Sequence, residues 1–142
     1  MFDVIQHLRS RRRLIAVVAM LAALPMTGCG GSSRAHAVDP PRAREALKDA
    51  LEHWKSGQTL RSIESSPTPM TVQDFDWAGG ARLVDYQILD EGQARDANLS
   101  VKVKLVLDGV GKKPGGKPVE KAVWYLVGTS PSVTVFRDMF RR

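Results

Sequence analysis

The hydrophobic period of this chain changes from about 3.6 residues to two partway along, which limits it to folds in which a helix comes first and a sheet follows. Ala43, Ala46, Leu47, Ala50, Leu51 and Trp54 recur on one helical stripe, with Arg44, Glu45, Lys48, Asp49, Glu52 and Lys55 opposite. Asp39 before Pro40 and Pro41 predicts the start, because an Asp side chain accepts from orphan backbone N–H groups and proline suits a first turn. Gly57 predicts the stop. A second, shorter helix is expected over 59–64, with Thr59 as its cap and Leu60 and Ile63 on one face, before Pro67 and Pro69 end it.

Downstream, Val84, Tyr86 and Ile88 alternate with Asp85 and Gln87. Leu99, Val101, Val103, Leu105 and Leu107 alternate with Ser100, Lys102 and Lys104, the pattern of half-buried strands. Residues 119–129 are apolar on both faces around 123–127, which predicts a central strand, and 132–138 follow after the turn Thr129-Ser130-Pro131. The expected class is α+β. The amphipathic helix and the short second one pack on a curved antiparallel sheet of about four strands, joined as a meander. This element order, over 39–140, is similar to the nuclear-transport-factor-2-like (NTF2-like) and cystatin-like folds, a resemblance that implies a helix lying across one face of the sheet.

With 142 residues, 43% of them apolar and 25% charged, the chain has material for one ordinary core and not two. The formal charge of +6 suggests nucleic acid until it is divided between segments. Residues 1–28 hold four arginines and one acid; removing them from the totals of 21 and 15 leaves 17 basic against 14 acidic residues, a net of +3. No nucleic-acid partner is expected from that remainder.

Residues 14–26 carry no charge and follow Arg9, Arg11, Arg12 and Arg13, the basic-then-apolar order of a secretory signal. Such a run is shorter than the roughly 20 residues a membrane-spanning helix needs. The single cysteine, Cys29, follows small Gly28 at the end of this run and has no internal partner for a disulfide. The stretch Leu24-Pro25-Met26-Thr27-Gly28-Cys29 resembles the lipobox of bacterial lipoproteins, with Met26 where the family usually has Leu, Val or Ile. The resemblance implies a removed signal over 1–28, an acylated Cys29 as first mature residue, and attachment to a membrane through lipid. Gly30 stands where some bacteria place Asp to retain lipoproteins at the inner membrane, so the resemblance favours the periplasmic face of the outer one. An ordinary secretory signal cleaved after Ala35-His36-Ala37 is the competing reading. Ser10-Arg11-Arg12-Arg13-Leu14-Ile15 also resembles a twin-arginine export signal, with Leu14-Ile15 in place of the usual Phe-Leu.

Residues 29–38 are mostly Gly, Ser and Ala and are expected to form a flexible tether, with one α+β domain over 39–142. Within that domain, Ser66-Pro67, Asp76-Trp77 and residues 127–131 resemble small bacterial lipoproteins of unknown function.

The motifs that carry chemistry are few. Residues 111–117 nearly satisfy the phosphate-binding loop G-x-x-x-x-G-K, but Pro118 replaces the magnesium-binding hydroxyl and the segment joins two strands. It is expected instead as a basic hairpin tip whose Lys112, Lys113 and Lys117 can touch anionic lipid or cell-wall polymer. His53 is the only histidine in the predicted domain, at the border of the apolar stripe, so neither a metal site nor a cofactor is expected. No Ser-His-acid order or nucleophile elbow is present. Of the acids over 74–96, Asp74 and Asp76 flank Phe75 and suit a turn cap, while Asp85 with Tyr86 is the speculative ligand contact. Met70, Met139 and the Trp and Phe residues are expected in the core. No catalytic residue is assigned. The chain reads as a lipid-anchored envelope protein whose domain binds an envelope protein or cell-wall polymer; the alternative is a small NTF2-like carrier or enzyme with an enclosed pocket.

Overall fold

Helix α1 (Pro40–Lys55) begins as its sequence dictates: the Asp39 carboxylate accepts the Arg42 N–H at 3.2 Å, and prolines occupy the first turn. It ends at Ser56 and is followed by Gly57 at φ +81°, a left-handed conformation that glycine adopts without strain. All six residues of the apolar stripe are buried. The structure, a computed structural model, describes residues 36–112 and 117–141, which belong to the compact unit Arg34–Arg142. Cys29, the signal and Lys113 lie outside the described residues. Val38, expected at the end of the tether, joins the core.

Helix α2 (Leu60–Glu64) is capped by Thr59 and buries Ile63. Strand β1 (Thr71–Gln73) leads into a single turn of helix, α3 (Phe75–Ala78), capped by Asp74. The remaining strands are β2 (Arg82–Ile88), β3 (Gln93–Arg95), β4 (Asn98–Asp108), β5 (Val119–Gly128) and β6 (Thr134–Asp138). They form one sheet in the order β1-β6-β5-β4-β2, with β3 also paired to β4. The sheet is curled and open, and the class is α+β.

Two expectations about the sheet need correction. Among the described residues it has six strands rather than about four, and it is mixed rather than antiparallel, because β1 runs parallel to β6 with Val72 opposite Val135. Strands β1 and β3 have three residues each, too few for an alternating pattern to show. Val84 also differs. Its strand shifts register between Leu83 and Asp85, so Leu83 turns into the core and Val84 is left 41% exposed.

Alternation on β4 and β5 defines the two faces. Val101, Val103, Leu105, Val123, Tyr125 and Val127 are buried beneath α1, while Lys102, Lys104, Trp124 and Leu126 point the other way and are half-buried. At the far end of α1, Trp54 and Trp77 stack with ring centroids 5.2 Å apart and planes within 5°. Each indole N–H has a backbone acceptor, Ala81 O for Trp54 at 2.8 Å and Gln58 O for Trp77 at 3.0 Å. This pair ties α1 to the loops around α3, a stacking contribution of about 0.5–1.5 kcal/mol beyond the area buried.

Candidate functional site

The Asp74 carboxylate is almost fully buried and serves three groups. One oxygen accepts the Trp77 N–H at 3.0 Å and so closes the turn of α3. The other accepts the Tyr125 hydroxyl and an Arg137 guanidinium N–H, both at 2.7 Å. Tyr125 and Arg137 are directly opposite in the β5–β6 register, so both reach the same face of the sheet. Arg137 continues to Asp76 at 3.1 Å, and the Asp76 carboxylate also receives the Lys121 ammonium at 2.9 Å. The cap and a first-turn acid of α3 are thereby clamped to two cations on adjacent strands.

Protonation follows from this packing. Burial pushes the Tyr125 hydroxyl well above its ordinary range, and the Asp74 carboxylate pushes it the same way, so Tyr125 acts as a hydrogen-bond donor. Burial works against the charge on Arg137, but the Asp74 and Asp76 carboxylates outweigh it and the guanidinium is held more firmly charged than usual.

Beside the clamp lies an open groove of about 770 Å³. Strand β6 stops at Asp138, whose carboxylate accepts the Phe140 N–H at 3.0 Å and turns the chain out of the sheet, whereas β5 continues to Val119. The groove fills the space so left. Its floor is Lys121, Asp76 and Arg137, and its apolar walls include Phe75 and Met139, which are 60% and 61% exposed. Phe75 and Met139 were expected in the core, as was Phe140; Phe75 follows Asp74, and Met139 and Phe140 follow Asp138, acids whose carboxylates accept a backbone N–H in a turn, and the turns aim them outward. A fixed carboxylate beside two fixed cations, edged by apolar side chains, can orient a polar or charged partner group without any bond being made.

A second cavity, of about 460 Å³, lies over the stacked indoles between the turn after α1 and the turn after α3, with Arg61 and Arg82 among its lining. Its base is apolar, because both indole N–H groups are already used.

The residues singled out from the sequence do not come together here. Asp85 is exposed and ion-paired with Lys55 at 2.8 Å, which holds its carboxyl below the usual range. Tyr86 donates to Glu52 at 2.6 Å, and burial together with that carboxylate raises its hydroxyl pKa. Both contacts fasten β2 to α1. Lys112 falls in a short 3-10 turn (Val110–Lys112) and Lys117 is exposed, both between β4 and β5 as expected of the hairpin. His53 is half-buried with Nδ1 2.9 Å from Asp49 O. Sequence reasoning missed Lys121, Tyr125 and Arg137. Tyr125 alone left a signal, as the one residue with a hydroxyl in an otherwise apolar strand centre.

No protein-family model, curated protein or solved structure matches this chain.

Proposed function

We propose that the chain is an envelope lipoprotein, held through acylated Cys29 at the periplasmic face of the outer membrane, whose α+β domain is a non-catalytic binding module. The observation that carries the binding reading is the groove beside α3, where the buried Asp74–Arg137 pair fixes a charged floor between exposed Phe75 and Met139. The partner class is an envelope protein or cell-wall polymer presenting a charged group between apolar ones. The anchor reading is supported by the lipobox resemblance and by the eight residues, 30–37, between Cys29 and Val38 of the core. The long helix laid on a curled sheet supports an NTF2-like or cystatin-like architecture as the finer description.

A photo-activated crosslinker at position 75 in the native envelope is expected to capture a discrete partner, and one at Arg95 on exposed β3 is not. Equal capture from both positions would contradict the groove. The alternative, a carrier or enzyme, draws on the second cavity over the Trp54–Trp77 stack. Saturable turnover of a small molecule, abolished by closing that cavity with Ala78→Trp, would promote it.

A further inference from the structure

We propose that the outer face of the sheet, opposite the one beneath α1, is a second membrane contact that lies against an anionic bilayer; this rests on the acylated-Cys29 reading. Trp124 sits at the centre of that face, with the Lys102 ammonium 5.5 Å and the Arg141 guanidinium 4.4 Å from its ring centroid. Neither cation is in an ion pair among the described residues. The carboxylate in register with Trp124, that of Asp138, is buried and bonded to the Phe140 N–H. That bond turns out Met139 and Phe140, the latter 97% exposed, immediately before Arg141. Cations stacked on an indole beside a projecting aromatic ring match a lipid interface, where the rings enter the headgroup boundary and the charges meet anionic phosphates.

The tether places this face within reach. The Asp39 N–H donates to Thr129 Oγ1 at 3.2 Å, so the chain arriving from Cys29 enters at the β5–β6 turn, where Leu126 and Phe136 begin the outer face. Residues 29–38 extend to at most roughly 30 Å, and Trp124 lies only four residues from Gly128, about 13 Å along the strand. A sheet standing on its tether therefore has room to lie down.

The test uses the native acylated protein in vesicles of phosphatidylglycerol and phosphatidylcholine, or of phosphatidylcholine alone, with brominated acyl chains as quenchers. Tryptophan emission is expected to be quenched in the anionic vesicles, less so in high salt, and not in the neutral ones. The quenching is expected to vanish in Trp124→Phe, because Trp54 and Trp77 are buried. In the unacylated Cys29→Ser protein, Arg141→Gln is expected to weaken partitioning onto anionic vesicles about five-fold. Protein that is acylated and floats with both vesicle types, but shows no lipid-dependent quenching, would overturn this contact and leave the anchor standing. A purified chain without acyl groups would overturn both. If Arg141→Gln fails to fold, the salt dependence of quenching in the unaltered protein decides the matter.

Discussion

Arg137 donates to the buried Asp74 at 2.7 Å, joining the last strand to the cap of a one-turn helix 63 residues earlier in the chain. Removing Arg137 leaves the Asp74 carboxylate without a cation, and removing Asp74 leaves the guanidinium only its 3.1 Å contact with Asp76, in a site where side-chain exposure is 1% for Asp74 and 13% for Arg137. Asp74→Ala and Arg137→Leu are each expected to destabilise the domain by about 3–5 kcal/mol in urea denaturation. The double variant is expected to lose less than the sum of the two, because neither charge is then stranded. Additive losses would show that the two groups act separately.

Gly128 of β5 lies in register with Asn98 of β4 on one side and Thr134 of β6 on the other. A Cβ there would lie 2.7 Å from Thr134 Oγ1 and 3.0 Å from Asn98 Oδ1, closer than side-chain carbons pack. Gly128→Ala is therefore expected to destabilise by about 1–3 kcal/mol, read as a lower urea midpoint at unchanged slope. An unchanged midpoint would mean that both neighbours move aside freely.

Alkali is expected to unfold the domain through Tyr125. Its hydroxyl is raised far above the ordinary tyrosine range in the folded state, so the unfolded chain releases that proton first as pH rises. The stability it contributes is complete below about pH 10 and falls by up to about 1.4 kcal/mol per pH unit above that. Denaturation midpoints followed from pH 8 to 11 are expected to drop steeply in the unaltered protein and more gently in Tyr125→Phe. Equal slopes would place the alkaline sensitivity elsewhere, for example at Lys55, whose ammonium is stabilised by its bond to Asp85.

How much of this was legible in the sequence varies from element to element. Helix α1 was readable almost to the residue, because its stripe, its Asp39 cap and its Gly57 stop all depend on neighbours in the chain. Strands β4 and β5 were readable from alternation and from the apolar run at 123–127. The parallel pairing of β1 with β6 was not, since three residues carry no period and pairing partners some sixty residues apart leave no local mark. The clamp was hidden for the same reason. Asp74 and Asp76 looked like turn-capping residues, which Asp74 is, but their second task depends on Lys121 and Arg137 arriving from strands whose register only the fold sets. Met139 and Phe140 were misplaced because hydropathy reports what a side chain prefers, whereas the Asp138 turn decides where these two point.

The proposed attachment of the domain to a membrane through Cys29 is tested by the intact mass of the mature protein, purified gently from its own envelope. A chain beginning at Cys29 and carrying acyl groups is expected, with Cys29→Ser shifting the protein to the soluble or unprocessed fraction. An unacylated chain beginning at Val38, or unchanged membrane association of Cys29→Ser, would contradict it.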